Sequence, residues 1–303
     1  QIKGNRFGLP DRMDLVVGRL DGHPSGIGFV MPERTIEGLK RDIFVAAHNL
    51  KEALHGDRVV VRIERYRETG GRLAERTVLL DGIPAATIHD GGRLKFGPDG
   101  LLYATAGDAS NTSFPQDASS LAGKFLRITS EGTSAPGNRF NSPVYTFGHR
   151  NPQGFDWHPA TGDLWASEHG PNGNDEINVI QSGSNYGWPN IQGSATASGM
   201  QTPIVFYSSA IAPSGASFYR GQRFPQFGGN LFVATLRGTH LLRVTTDARR
   251  VTTQERLLDG TFGRLRDVVS GPDGYLYICT NNRDGRGAPM AGDDRILRIV
   301  PSS

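Results

Sequence analysis

The sequence predicts an all-β protein, a small barrel followed by about four propeller-like sheets. Forty glycines and 18 prolines are spread through the 303 residues, as many short strands joined by tight turns require. A turn followed by an apolar strand also recurs. It appears as Gly97-Pro98-Asp99-Gly100-Leu101-Leu102-Tyr103, as His158-Pro159-Ala160-Thr161-Gly162-Asp163-Leu164-Trp165, as Gly228-Gly229-Asn230-Leu231-Phe232 and as Gly271-Pro272-Asp273-Gly274-Tyr275-Leu276-Tyr277. The turn glycines Gly100, Gly162, Gly229 and Gly274 are spaced by roughly 45 to 67 residues, the size of a multi-stranded blade.

The first quarter reads differently. Strand-like runs at 15–20, 28–31, 42–46 and 58–63 are bounded by turn residues, and 49–56 has the pattern of a helical turn closed by Gly56. Several short strands in so few residues argue a small barrel. Phe29 and Phe44 alternate along two of these runs, which suits both stacking of nucleobases and packing in a core. The charged stretch 64–76 carries Gly70-Gly71 and marks a change of character, so the boundary falls near residue 73, giving units of 1–72 and 73–303. The net charge of +3 sits in the first unit, a weak pointer to a polyanion there.

A lone Cys279 excludes an internal disulfide and leaves the redox compartment open. No apolar run reaches the ~18 residues of a membrane helix. The chain begins at Gln1 and shows no signal peptide, the pattern of a processed or internal piece.

A propeller carries its chemistry where loops enter the innermost strands. His89 precedes the first repeat, Arg150 and Asn151 the second, Arg264 and Arg266 the fourth, and Arg237 follows the third. One histidine and four arginines suit a general base beside a multiply anionic planar ligand, since guanidinium forks pair with carboxylates and stack on rings. Solvated surface arginines and a turn histidine are the plain alternative. The stretch from Glu168 to Glu176 is rich in oxygen ligands and turns, which suits a hard cation such as Ca²⁺ and also suits an ordinary loop.

Two families are resembled. The runs Leu9-Pro10-Asp11-Arg12-Met13-Asp14-Leu15, Gly26-Ile27-Gly28-Phe29-Val30, Asp42-Ile43-Phe44-Val45 and His55-Gly56-Asp57-Arg58-Val59 resemble the N-terminal cold-shock (OB) region of bacterial ribonuclease R, over about residues 1–70. That resemblance implies weak binding of single-stranded RNA through Phe29 and Phe44. Ile27 stands where such domains carry an aromatic, and the family's catalytic domain is absent.

The strings His89-Asp90-Gly91-Gly92-Arg93-Leu94, Gly148-His149-Arg150-Asn151-Pro152-Gln153-Gly154, Glu168-His169-Gly170-Pro171, Asn185-Tyr186-Gly187-Trp188-Pro189 and Arg266-Asp267-Val268-Val269 resemble the soluble aldose and glucose/sorbosone dehydrogenases that use pyrroloquinoline quinone (PQQ), over about residues 76–302. This resemblance implies oxidation of an aldose at its anomeric carbon with hydride transfer to PQQ held by Ca²⁺. His89 matches the base and Asp108 the carboxylate that orients it. Arg150 and Asn151 match groups on the quinone, and Arg237, Arg264 and Arg266 match further cofactor contacts. The carbonyls of Gly170 and Pro171 match ligands of the cofactor's Ca²⁺. Glu176 and Tyr186 match a second calcium site, incomplete here because Gln192 and Ser194 replace its later carboxylates. A Trp and a Thr that cover the cofactor in the soluble glucose enzyme fall at Ser208 and Ala210, leaving Tyr207 as the nearby aromatic.

That family is six-bladed, so the expected fold is a small OB barrel followed by an incomplete propeller. Its members are extracytoplasmic and ribonuclease R is cytoplasmic, which leaves the compartment open, as it does the oligomeric state. The rival readings are an RNA-binding module and a non-functional fusion of two fragments.

Overall fold

The computed structural model describes residues 18–22, 28–32, 43–45, 62–86 and 88–301, the first three segments and residue 62 by backbone alone. All regular structure in these residues is β apart from short 3-10 turns.

Strands β1 (Gly18–Gly22), β2 (Gly28–Pro32) and β3 (Ile43–Val45) form an antiparallel sheet in that order, with Phe29 opposite Phe44. Of the run expected at 15–20, residues 18–20 lie in β1, and residues 15–17 lie outside what is described. The helical turn at 49–56, the segment before residue 18 and the side chains of Phe29 and Phe44 lie outside what is described.

The charged stretch 64–76 is a long hairpin of β4 (Arg62–Thr69) and β5 (Arg72–Asp81), turning at Gly70 and Gly71. The boundary placed near residue 73 falls just past this turn. Ile63 and Leu80 of the hairpin, with Ile83 beyond it, pack on Ala104, Leu126 and Val144 of the sheet that follows. Arg65 donates to Ser130 O and to both oxygens of Glu131. The hairpin approaches so closely that a Cβ on Gly132, at φ +82°, would meet Leu79 O.

Four antiparallel sheets follow in chain order. The first holds β6 (Leu94–Phe96), β7 (Leu102–Ala106), β8 (Lys124–Ile128) and β9 (Val144–Phe147). The second holds β10 (Pro152–Trp157), β11 (Leu164–Glu168), β12 (Asp175–Ile180) and β13 (Val205–Tyr207). In the third are β14 (Pro213–Phe218), β15 (Leu231–Thr235), β16 (Leu241–Asp247) and β17 (Arg250–Leu257). The fourth has β18 (Leu265–Ser270), β19 (Leu276–Thr280) and β20 (Ile296–Ile299). Each sheet runs outward strand by strand; the second, third and fourth sheets pack through their first strands, β10 on β14 and β14 on β18, and the first meets the second through β7 and β10. This is the propeller-like arrangement, with strands such as β7, β11 and β15 buried along their whole length and largely apolar, their polar residues Thr105, Ser167, Glu168 and Thr235 falling toward the strands' C-terminal ends.

The repeated turn has a local cause. Gly97 N–H bonds Leu101 O, Gly100 N–H bonds Gly97 O, Asp99 accepts from Leu101 N–H, and Tyr103 OH returns to Asp99. The same four bonds recur among Gly271, Gly274, Asp273, Tyr275 and Tyr277. Gly100 and Gly274 sit at φ +75° and +81°, the left-handed region that the turn demands. Between sheets lie three apolar layers, centred on Phe125 and Phe155, on Trp165 and Phe218, and on Phe232 and Leu276.

Candidate functional site

The site is built at the end of the sheets opposite the Pro-Asp-Gly turns. His89 lies in the loop into β6 at φ +68°, a left-handed conformation that β-carbon-bearing residues adopt at a cost. Its carbonyl accepts from Ala109 N–H, and Gly107 lies so near that a Cβ there would sit 1.8 Å from His89 O. Glycine at 107 is what lets the end of β7 press against the His89 loop.

Asp108 follows β7 and is 1% exposed. Its Oδ1 lies 2.9 Å from His89 Nδ1 and accepts from Ser110 N–H at 2.8 Å, while Oδ2 accepts from Trp188 Nε1 at 2.9 Å. On the other side of the imidazole, Arg150 NH2 lies 2.9 Å from Nε2. An arginine can only donate, so Nε2 presents its lone pair and Nδ1 carries the proton toward Asp108. That is the tautomer of a base oriented by a carboxylate.

Arg150 also donates from NH1 to His169 O at 3.2 Å and Gly170 O at 2.8 Å, and its guanidinium lies over the Trp188 ring at 5.4 Å. Burial lowers its pKa. The backbone beneath it is clamped by Glu168, whose Oε1 accepts from the N–H groups of Arg150 and Asn151 and whose Oε2 lies 2.9 Å from His149 Nδ1. His149 in turn reaches Thr146 through Nε2 at 2.8 Å. Asn151 is buried, and its Oδ1 holds Gly91 N–H at 3.1 Å, tying the second sheet to the His89 loop.

The oxygen-rich loop is organised by Asp175. Its Oδ1 accepts from Gly170 N–H, and its Oδ2 accepts from Ile211 and Ala212 N–H. Ile211 O accepts from Arg237 N–H at 3.1 Å, so Arg237, exposed, belongs to the same end of the molecule as Gly170. Arg266 donates to Gln153 at 3.1 Å from β18. Arg264 differs from the other arginines, because both Nε and NH2 bind Asp284, at 3.0 and 2.7 Å, and its charge is balanced within the fold.

Three further positions depart from the sequence reading. Glu168, counted there among oxygen ligands for a cation, is consumed by its three donors. Tyr207, the aromatic expected near the cofactor, packs its ring on the core layer between the second and third sheets and bonds Gln254 through its hydroxyl. Tyr186 is buried, its ring stacked on His149 at 4.7 Å and its hydroxyl bound to Val179 O. Glu176 lies in the pocket lined by Glu168, Tyr186 and Gln192, where burial and the Glu168 carboxylate push its pKa up to about 7. Sequence reasoning gave no role to His149 or Trp188, although both stand inside the strings that carry the resemblance.

The donor set fits Ca²⁺ with PQQ in part. The carbonyls of Gly170 and Pro171 are hard oxygen ligands, and Gly170 O is already satisfied by a cationic guanidinium, which shows that the position favours positive charge. Among the described residues no three His, Cys, Asp or Glu side chains converge as a metal cluster, so the cofactor's own oxygens would complete the shell. Arg150, Arg237 and Arg266 would be the donors for its carboxylates.

The chain resembles known proteins over most of its length. A family model described as glucose/sorbosone dehydrogenase matches residues 35–297, starting upstream of the first matching string and inside the unit read as 1–72. Aldose sugar dehydrogenase YliI of Escherichia coli is 35% identical over 216 residues, 65% of this chain and 58% of that protein. Quinoprotein glucose dehydrogenase B of Acinetobacter calcoaceticus is 38% identical over 314 residues, 74% of this chain and 66% of that protein. The chain therefore spans less than two thirds of these curated relatives. The solved PQQ-bound aldose sugar dehydrogenase of Streptomyces coelicolor superposes with a TM-score of 0.72 at 32% identity, covering 98% of this chain and 96% of that one. A shorter segment is 38% identical to Escherichia coli ribonuclease R over 56 residues, 18% of this chain and 6% of that protein.

Proposed function

The chain belongs to the glucose/sorbosone dehydrogenase family, and on that premise we propose that it oxidises an aldose at the anomeric carbon, with PQQ as the acceptor and Ca²⁺ bound by the carbonyls of Gly170 and Pro171. The observation that carries this is His89, held at 2.9 Å by Asp108 on one side and by Arg150 on the other.

PQQ supplies a two-electron acceptor, and Ca²⁺ a Lewis acid beside it. The chain's own residues do the rest. His89 Nε2 takes the proton of the anomeric hydroxyl as the C1 hydride leaves, which turns a cyclic aldose into a lactone. Asp108 keeps the proton on Nδ1 before the step and stabilises the imidazolium after it. Because Arg150 covers Nε2 at rest, its guanidinium gives up that bond when the sugar enters and turns to the cofactor with Asn151. Arg237 and Arg266 hold anionic groups at the rim.

We further infer that the four sheets are blades of a six-bladed ring, and that residues 1–72 form a cold-shock (OB) unit offering Phe29 and Phe44 to single-stranded RNA, a reading supported by the ribonuclease R likeness. Such binding would weaken with salt and with Phe29→Ala or Phe44→Ala. Salt-independent or absent binding removes it, and leaves the fusion of two fragments as the account of the first unit.

The enzyme reading is tested by adding PQQ and Ca²⁺ and following dye reduction with several aldoses. We expect turnover with at least one, and a loss of ~100-fold or more in His89→Ala. Absence of PQQ binding at micromolar cofactor would reject it.

A further inference from the structure

We propose that Trp188 is a positioning residue for the base: its indole fixes Asp108 and Arg150 together, so that His89 is presented in one tautomer and one orientation. This rests on His89 being the base.

The three tryptophans of the chain are used differently. Trp165 is fully buried in the layer between the second and third sheets, and its indole N–H finds no acceptor there. Trp157 packs edge-on against Tyr103 and Phe155. Trp188 alone among them gives its N–H to a carboxylate, Asp108 Oδ2 at 2.9 Å.

That bond decides the carboxylate's rotation. Oδ1 already receives His89 Nδ1 and Ser110 N–H, while Trp188 is the partner of Oδ2 in a residue 1% exposed. Without the indole, a buried oxygen would lose its donor and the carboxylate could turn, taking Oδ1 out of line with the imidazole. The face of the same ring carries the Arg150 guanidinium at 5.4 Å. His89, Asp108, Trp188 and Arg150 thus close a four-membered circuit of contacts in which Trp188 touches both neighbours of the base and not the base itself.

The circuit is anchored from outside. Trp188 N–H bonds Gly148 O at 2.9 Å, and Trp188 O accepts from Gln116 Nε2 at 2.7 Å. Gln116 exchanges two further bonds with Asn185, at 3.0 and 2.9 Å. Gly148 stands two residues before Arg150, so the indole is referenced to the strand end that carries the guanidinium.

The test begins with the cofactor-free protein carrying ¹⁵N in its indole rings. Trp188→Phe should delete one indole N–H resonance, and Asp108→Asn should move that same resonance while those of Trp157 and Trp165 stay in place. In the protein loaded with PQQ and Ca²⁺, Trp188→Phe keeps an aromatic face for Arg150 and should lower kcat ~10-fold with KM for the sugar changed less than ~2-fold. The same substitution made in Asp108→Asn should cost less than ~2-fold, because the bond it removes is already broken. A Trp188 resonance indifferent to Asp108→Asn, or an unchanged kcat in Trp188→Phe, overturns the proposal. If the wild-type protein oxidises no aldose with PQQ, the enzyme reading fails, and the indole resonance alone decides whether Trp188 holds the carboxylate.

Discussion

Phe218 and Phe96 each end the first strand of a sheet, β14 and β6, yet Phe218 is fully buried while Phe96 is 64% exposed. Phe218 lies between two sheets, edge-on to Trp165 and to His158. Phe96 faces outward on the first sheet, beside the exposed Leu94. The last sheet repeats the pattern, with Leu276 and Ile278 buried toward the third sheet and Val269 and Ile296, at 51% and 75% exposure, turned away. In a propeller each sheet is covered by its neighbours on both faces, so the strand pattern is the same everywhere and the environment depends on which neighbour is present. The His89 site draws its close contacts from the first two sheets and their loops, on the covered side.

The comparison predicts unequal costs for equal changes. Phe218→Ala should destabilise the fold by ~4 kcal/mol, measured by denaturant unfolding, since it empties a packed layer. A loss below ~1 kcal/mol would mean that the layer is loosely packed. Lys124 sharpens the picture, because the covered side also houses an ammonium, fully buried and bonded to Phe114 O, Pro115 O and Ala122 O. Burial pushes its pKa down to about 7, while three carbonyls match three N–H groups. Lys124→Met takes the ammonium from all three carbonyls; Phe114 O and Pro115 O keep the N–H groups of Asp117 and Gly148 while Ala122 O loses its donor, and the unfolding midpoint should report a cost of ~2 kcal/mol.

Asp90 provides a pH-dependent probe beside the base. Burial raises its pKa from 3.8 to about 6, against the opposing bond from Ala86 N–H. The folded state therefore holds its proton more tightly than the unfolded chain, and stability is lost as the pH rises from about 4 through about 6. Asp90→Asn should melt ~3 °C above the wild type at pH near 8, with the gap closing toward pH near 4.5. A gap that is constant with pH would show that the carboxyl does not titrate in that window. The smallest effect belongs to the outward face, where Phe96→Ser and Ile296→Thr should each change stability by less than ~0.5 kcal/mol and raise solubility. A large loss in either would show that the face is covered in solution.

Much of the architecture was legible because its causes are local. The Pro-Asp-Gly turn closes through bonds that span four residues, from Asp99 to Tyr103 and from Asp273 to Tyr277, so it can be seen as a string. Alternation and apolar runs show the strands for the same reason. The charged stretch 64–76 was less legible: a hairpin with polar residues along both strands has neither apolar run nor clear alternation, and only its seat on Leu126 and Val144 reveals it.

At the site, the sequence by itself picked out His89, Asp108, Arg150 and Asn151 as candidates, because they stand beside recognisable turns and strand ends and within strings that resemble a known family. It could not determine which charges are free. The tertiary structure neutralised Arg264 with Asp284, turned Glu168 from a ligand candidate into the clamp beneath Arg150, drew Tyr207 into the core, and brought Trp188 to Asp108 across 80 residues of chain. The physical reason is one of range. A turn is fixed by bonds within a few residues, whereas the partner of a buried charge is set by which sheet lies next to which, and that is decided only when the sheets pack.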